Sequence, residues 1–173
     1  MLLIWHVTIR YFGRFLLLAL LFFNNANTSF GQPTDFIVLA VGDFTTDTVF
    51  ANIRCNRTSL KLVKGASYEM IATGQWQDAN FEPTDANGFV GFTKAMKRGN
   101  FLKPMNCENY MKLLARVGRK KIAVGTHFIL QPKRSGRLVF IPNDATFFFG
   151  NNSSKLMVTI KRLPKKTSLS TDR

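Results

Sequence analysis

The sequence predicts an all-β sandwich, and three observations support this fold class. The 173 residues leave room for one domain. Beyond residues 1–31 the apolar segments are short and rich in β-branched or aromatic residues, and Gly, Asn, Asp, Pro and Lys separate them at the intervals of an antiparallel sandwich. In the segment from Leu156 to Arg162, Leu156, Val158 and Ile160 alternate with Met157, Thr159 and Lys161, which is the period of a strand with one buried face.

Residues 1–31 carry the features of a secretory signal peptide. Two arginines precede the apolar run Phe15 to Phe23, and small or polar residues follow it. We expect cleavage near Ala26 or Gly31 and export of the protein, so that it is secreted or periplasmic. An uncleaved membrane anchor is the alternative, but the run is shorter than the roughly 20 residues that span a bilayer.

The first predicted strand is Phe36 to Val41. Leu60 to Val63 and Tyr68 to Thr73 follow, and the Lys64-Gly65 turn between them predicts a hairpin. In the strand Tyr68 to Thr73, alternate residues from Tyr68 onwards share one face.

The middle of the chain is polar and then basic. Gly74 to Gly91 has too little apolar content for an element of its own, which predicts a long functional loop. Residues 92–112 form a basic insertion, for which one or two short helices or an ordered irregular segment are both compatible with the pattern. Four further strands are predicted after it: Leu113 to Val117, Ile122 to Leu130, Arg137 to Ile141, and Leu156 to Arg162. The sandwich domain therefore spans residues 32–163, and the basic tail 164–173 is predicted to be disordered.

The formal net charge of +14 favours acidic partners. Nucleic acid, an anionic polysaccharide and the outer face of an anionic membrane all satisfy that condition, and charge alone does not choose among them. Because export is expected and no nucleic-acid-binding motif occurs, we expect no nucleic acid partner.

The two cysteines, Cys55 and Cys107, both lie in the expected mature chain. Export would place them where oxidation persists, so they are candidates for one disulfide. Two free buried thiols are the alternative, since the sequence does not show whether the two Cα atoms come within bridging distance.

The segment between the last two predicted strands concentrates oxygen donors. Asp144, Asn151 and Asn152 offer the side chains that a hard cation such as Ca²⁺ prefers, and Ca²⁺ takes about six to eight oxygen ligands. Because Asp144 is the only carboxylate among these three side chains, the affinity for Ca²⁺ is expected to be modest. Asp and Asn also cap turns in most loops, and this is the alternative interpretation.

The spacing of these residues resembles the calcium and sugar loop of the PA-I type galactophilic lectins. The matching run is Asn143-Asp144, five residues, Gly150-Asn151-Asn152-Ser153 and the strand that ends Val158-Thr159-Ile160. Upstream features occur in the family's order: Val63-Lys64-Gly65, Ala72-Thr73-Gly74-Gln75-Trp76, the loop from Pro83 to Gly88, Leu113 to Gly118, Val124-Gly125, and Ser135-Gly136-Arg137-Leu138. The resemblance covers roughly Leu60 to Arg162, and it implies a jelly-roll β-sandwich of the galactose-binding-domain-like kind.

The resemblance also implies a ligand set for calcium. The side chains of Asp144, Asn151 and Asn152 would bind the ion, and the carbonyls of Phe148 and of a residue near Ala79 would complete the protein ligands. Galactose would then coordinate the ion through adjacent hydroxyls. The corresponding sugar-binding set is Asp85, Asn87, Asp144, Ala145 and Asn151.

Two departures from the family affect this assignment. The family's sugar-clamping His before Pro has no counterpart, because Glu82 precedes Pro83 here; Asp85 and Asn87 are the candidates to replace it. The basic insertion 92–112 also separates the polar loop from the next strand by far more than the family usually allows.

Three consecutive aromatics, Phe147, Phe148 and Phe149, cannot all face a core in an extended chain. At least one is expected at the surface beside the ion, where it could stack on a pyranose ring or form a subunit interface, so a homo-oligomer is a candidate.

The sequence lacks the marks of an enzyme. There is no nucleophile elbow and no phosphate-binding glycine loop. The spacing of the acidic residues does not imply a glycosidase pair of carboxylates, so no catalytic residues are assigned. The function expected is an exported, calcium-dependent lectin for a galactose-like glycan or an anionic polysaccharide. The alternative is a non-catalytic envelope structural or interaction protein that keeps the fold and has a degenerate sugar site.

Overall fold

The computed structural model describes residues 36–91 and 93–165. The predicted signal peptide, and residues 166–173 of the predicted tail, lie outside the described residues. Within these two ranges no helix is long and apolar enough to span a membrane.

The described chain folds into two antiparallel sheets of four strands each. One sheet has the order β1-β8-β3-β6 and the other β2-β7-β4-β5. Eight strands wound in this order form a jelly roll, so the predicted all-β jelly-roll sandwich is confirmed. The strands are β1 (Phe44–Phe50), β2 (Asn56–Leu62), β3 (Ser67–Asp78), β4 (Leu113–Val117), β5 (Lys120–Ala123), β6 (His127–Leu130), β7 (Gly136–Pro142) and β8 (Asn152–Leu163).

The core lies between the two sheets. On β8, Leu156, Val158 and Ile160 are fully buried while the residues between them face outward, as the alternating pattern predicted. Phe140 of β7 and Trp76 of β3 are also fully buried in the same cluster. Because β3 and β8 pair over twelve residues, they form a long rigid ladder whose two ends carry the features described below.

At the start of the described chain one predicted strand is wrong and one strand was missed. Phe36 to Val41 is not a strand, since only Ile37 pairs there, in an isolated parallel bridge with Leu60. The first strand is instead β1, an edge strand that the apolar pattern missed because Val49 is its one fully buried residue.

One predicted hairpin and one predicted continuous strand are also wrong. Strands β2 and β3 do not form a hairpin: β2 pairs with β7, whereas β3 pairs with β6 and β8 in the other sheet. The predicted strand Ile122 to Leu130 is two strands, β5 and β6, which belong to different sheets. Gly125 lies between them with a φ of 65°, a backbone conformation that glycine adopts without strain.

The basic insertion contains helices, which decides between the two alternatives in the sequence. Helix α1 (Lys94–Gly99) is followed by a 3-10 turn (Asn100–Leu102). The Thr93 hydroxyl caps α1 by accepting a hydrogen bond of 3.1 Å from the Met96 backbone N–H.

The candidate disulfide is absent from the structure, and both cysteines are free thiols. Cys55 is half-buried, because its side chain packs against the outer face of the second sheet beside Leu114, Val139 and Ile141. Cys107 is exposed in the insertion, so the alternative of two buried thiols also fails for this residue.

Candidate functional site

The candidate site lies at the end of the sandwich where β3 finishes and β8 begins. Asp78 pairs with Asn152 in the β3–β8 ladder, and the loop from β7 to β8 brings Asp144 to the same place. Asp144 is 2% exposed and Asn152 is 5% exposed. The Asn152 side-chain amide donates to Asp144 Oδ2 over 2.9 Å, and the Ala145 backbone N–H donates to Asp144 Oδ1 over 2.6 Å.

Asn152 has a buried oxygen that no group in the described part of the chain satisfies. Its Nδ2 donates to Asp144 and to the Ala51 carbonyl, at 3.3 Å in the second case, while its Oδ1 has no hydrogen-bond partner. A buried acceptor without a partner costs about 1–3 kcal/mol. A cation beside Asp144 would give that oxygen a partner, so the donors present fit a metal ion here.

Asp78 is a second carboxylate at this site, and the sequence interpretation missed it because it ended the strand at Thr73. Asp78 is 7% exposed. Burial, and then the negative charge of Asp144, raise the pKa of Asp78 to about 6. Burial also raises the pKa of Asp144, against the opposing effects of its two hydrogen bonds and the positive charge of Lys103. Because the two buried carboxylates repel each other when both are ionised, their negative charges favour a cation at this place.

In the absence of calcium, the free energy of unfolding is expected to fall as the pH rises from about 4 to about 6. The unfolded Asp78 has a pKa of about 3.9, so the folded state binds more protons than the unfolded state between about pH 4 and 6. The loss of folding free energy caused by ionising the buried Asp78 is absent below pH 4 and complete above pH 6, and it amounts to about 2–3 kcal/mol. Chemical denaturation in chelator at pH 4 to 7 measures it, and Asp78→Asn should flatten the slope.

The matched control for this change is Glu82→Gln, which removes an exposed carboxylate from the neighbouring loop. It should leave the pH slope as in the unaltered protein. A slope as steep in Asp78→Asn as in the unaltered protein would contradict the raised pKa of Asp78, whereas a smaller residual slope is expected from Asp144.

The remaining candidate ligands come together through backbone hydrogen bonds. The Ala79 N–H donates to the Asn151 carbonyl over 3.2 Å, and the Asn151 N–H donates to the Phe148 carbonyl, also over 3.2 Å. Ala79 has a φ of 46°, so the chain turns sharply as it leaves β3. All five candidate calcium ligands therefore belong to two segments that lie side by side, with Asp144 and Asn152 buried and Asn151 exposed.

Asp85 and Asn87, two of the candidate sugar-binding residues, are exposed and hydrogen-bonded to each other. Both carboxylate oxygens of Asp85 accept hydrogen bonds from Asn87, at 2.7 Å from its backbone and 3.3 Å from its side chain. The Asn87 amide also bonds Thr126, and Thr126 accepts from the Ala72 N–H. The Asn87 side chain therefore anchors the long loop to Thr126, and the Asn87 carbonyl accepts a hydrogen bond of 3.2 Å from the Asn109 side chain.

The aromatic run divides as the sequence predicted. Phe147 is 81% exposed and Phe148 is 55% exposed, while Phe149 is buried. Two aromatic faces are thus available at the surface of the loop that carries Asp144.

The basic insertion docks directly on this loop. The fully buried Asn143 accepts from the Met105 N–H and donates to the carbonyls of Met105 and Asn109, each over 2.9 Å. Thr146 bonds the Leu102 carbonyl through both its N–H and its hydroxyl. Ala145, the remaining candidate for sugar contact, is buried in a small cluster with residues of the insertion. The insertion is therefore part of the wall of the site.

Lys103 brings a buried positive charge to this wall. It is 5% exposed, its ammonium group donates to the Glu108 carbonyl, and the same group lies 4.3 Å from the centre of the Tyr110 ring. Burial lowers the pKa of Lys103, whereas Cys107, Glu108 and Asp144 oppose that shift. Because the positive charge of Lys103 acts on Asp144, it would weaken the binding of any cation there.

All the candidate donors at this site are oxygen atoms. Within residues 36–91 and 93–165, no three His, Cys, Asp or Glu side chains come together as metal ligands. The donors at the site are carboxylate, amide and carbonyl oxygens, which a hard cation takes, whereas zinc is usually bound by Cys and His.

Comparison with known proteins agrees with the architecture. No protein-family model and no curated protein matches this sequence. Among solved structures, the chain is similar to the EclA N-terminal domain, described as a PllA-like lectin, with a TM-score of 0.54 and 20% identity. The match covers 68% of this chain and 94% of that one. The protein therefore has a lectin-like β-sandwich fold.

Proposed function

We propose that this protein is an exported, non-catalytic lectin that binds a glycan through a calcium ion at the Asp144 site. The observation that carries the proposal is the unpartnered buried Asn152 Oδ1 beside the carboxylate of Asp144. The lectin described among the solved structures has the same fold, which supports carbohydrate as the ligand class.

Asp144, Asn151 and Asn152 would hold the ion by their side chains, with the carbonyls of Phe148 and Ala79. The bound ion would supply a Lewis-acidic centre for two adjacent sugar hydroxyls. Asp78 lies close enough to Asp144 to add a second negative charge, which would favour the ion without being one of the five ligands.

The surroundings of the ion would select the sugar. The exposed ring of Phe147 could stack on the apolar face of a galactose-like pyranose. Helix α1 packs its Met96 side chain against Ala145, and Lys94, Lys97 and Arg98 are exposed on the same helix. These cations would favour glycans that carry carboxylate, phosphate or sulfate groups, such as an anionic polysaccharide of the cell envelope.

Lys103 favours a second candidate function, in which the protein is an envelope structural or interaction protein with a degenerate sugar site. Its buried ammonium group already supplies positive charge to Asp144. If that charge replaced calcium, the loop would be structural and the basic surface would serve a protein or envelope partner.

Calorimetric titration with Ca²⁺ separates these two functions. The lectin predicts saturable binding with a dissociation constant of roughly 0.1–1 mM, as in extracellular calcium modules, because the Lys103 charge opposes the ion. Asp144→Asn should weaken the binding more than tenfold, while the exposed-site control Glu82→Gln should change it less than twofold.

A further variant, Lys103→Met, keeps the length of the buried side chain and removes its charge. In the lectin it should tighten calcium binding. No calcium binding by the unaltered protein, with binding that appears only in Lys103→Met, would overturn the lectin proposal in favour of the degenerate site.

A further inference from the structure

A cavity lies at the opposite end of the sandwich from Asp144. It occupies about 330 Å³ between the edge strands β5 and β6, and its lining residues are Val117, Arg119, Lys120, Ile122, Leu130, Gln131, Pro132, Lys133 and Arg134. Tyr68 pairs with Leu130 at this end of β3, ten residues from Asp78, which corresponds to about 33 Å. The cavity, here called the edge cleft, is thus separate from the candidate sugar site.

The floor of the edge cleft is apolar. Val117 is 8% exposed, Leu130 is 5% exposed and Pro132 is buried, while Ile122 is half-buried. A cavity of this volume lies within the range of about 300–1,000 Å³ that small-molecule sites occupy. Its floor therefore suits an apolar group of limited size.

The wall formed by residues 131–134 is held in place by hydrogen bonds to the turn before β3. The Gly65 N–H donates to the Pro132 carbonyl over 2.9 Å, and the Gln131 side chain donates to the Gly65 carbonyl, also over 2.9 Å. The Lys64 N–H donates to the Ser135 hydroxyl oxygen over 2.9 Å. The cleft is therefore formed before any ligand arrives.

The rim of the edge cleft is positively charged. Arg119, Lys120, Lys133 and Arg134 are all exposed, and no acidic residue lines the cavity. Neither of the two ion pairs in the described part of the chain, Lys112 with Glu108 and His127 with Glu69, involves these four residues. Four like charges around one small opening concentrate positive potential there.

We propose that the edge cleft binds a single-chain anionic amphiphile, with its alkyl chain on the apolar floor and its carboxylate or phosphate head among the four cations. The charge complementarity selects an anionic head, and the apolar floor selects an alkyl chain. A cavity of this size takes one short chain rather than the two chains of a phospholipid. The inference is independent of the proposed sugar site.

Calorimetric titration of the full chain with decanoate, below its micellar concentration and in the presence of chelator, tests the proposal. The cleft variant combines Arg119→Gln, Lys120→Gln, Lys133→Gln and Arg134→Gln. The matched control removes the same charge from exposed residues outside the cleft, by Arg54→Gln, Lys61→Gln, Lys155→Gln and Lys161→Gln. Decanoate should bind the unaltered protein and the control within twofold of each other, and the cleft variant should bind at least about tenfold more weakly.

Two other ligands define which part of decanoate is recognised. Octyl glucoside has a neutral head and inorganic phosphate has no chain, so both should bind at least about tenfold more weakly than decanoate. If the cleft variant and the control lost decanoate affinity equally, the binding would be unspecific charge attraction, and the proposal would be overturned. Phosphate that competes as well as decanoate would also overturn it, and so would full binding by the cleft variant. Because chelator is present, none of these outcomes depends on calcium at Asp144.

Discussion

Gly88→Ala is expected to lower the free energy of unfolding by about 3 kcal/mol or more, which is at the high end for a single substitution. Gly88 has a φ of 77°, and a Cβ there would lie 2.1 Å from the Tyr110 carbonyl oxygen and 2.6 Å from the Lys112 nitrogen. Both atoms belong to the backbone, so a side-chain rotation cannot relieve the contact. The polar loop and the end of the insertion would have to separate, which would break the 2.9 Å hydrogen bond from the Phe89 N–H to the Tyr110 carbonyl. Denaturant or thermal unfolding measures the loss.

Gly65→Ala is the matched control for this change. Gly65 has nearly the same φ, 76°, but a Cβ there would meet nothing within 4 Å. Its substitution costs only the backbone strain of a non-glycine residue, about 1 kcal/mol. Equal losses for the two variants would contradict the close packing of the insertion against the loop at Gly88.

The second large effect is expected from Asn143→Ala, which should release the insertion from the sandwich. The Asn143 side chain makes four hydrogen bonds to the backbone of residues 105–109, and its own N–H and carbonyl bond Lys112 and Met111. Removing the amide leaves the Met105 N–H without its partner and removes the bonds to three carbonyls, each of which keeps one other donor, at about 2–4 kcal/mol in total. Hydrogen exchange should speed up at the Met105 and Met111 amides and stay slow in β3 and β8.

Asn109→Ala tests whether the lost stability and the faster exchange at Met105 are specific to the removal of the Asn143 side chain. The half-buried Asn109 side chain makes one hydrogen bond, of 3.2 Å, to the Asn87 carbonyl. That change should cost about 1 kcal/mol and leave exchange at Met105 slow. If Asn143→Ala behaves in the same way, the insertion is held by other contacts.

The sandwich could be predicted because its core follows local rules. Leu156, Val158 and Ile160 alternate with outward-facing residues, and a strand with one buried face is the structure that fits that pattern. The pairing of β2 with β7 could not be predicted from the Lys64-Gly65 turn. A turn sequence specifies the reversal of the chain, but the choice of hydrogen-bond partner depends on residues far away in the sequence.

The candidate site was predictable only in part, for a similar reason. Asp144 and Asn152 could be placed together because eight residues and one short loop separate them. Asp78 and Lys103 could not, since one lies at the end of a strand that runs five residues beyond its predicted end at Thr73, and the other lies on an insertion whose docking depends on Asn143. The hydrogen bond from the Asn87 amide to Thr126 could not be predicted either, because the two residues are 39 positions apart in the sequence.

Retention of the protein on immobilised galactose and on an immobilised anionic polysaccharide, with calcium and then with chelator, tests the central claim most directly. The lectin proposal predicts retention on at least one of these glycans in calcium and release by chelator, with little release by moderate salt alone. Retention that ignores chelator and falls steeply with ionic strength would contradict calcium-bridged binding, because attraction by the basic surface alone is screened in that way.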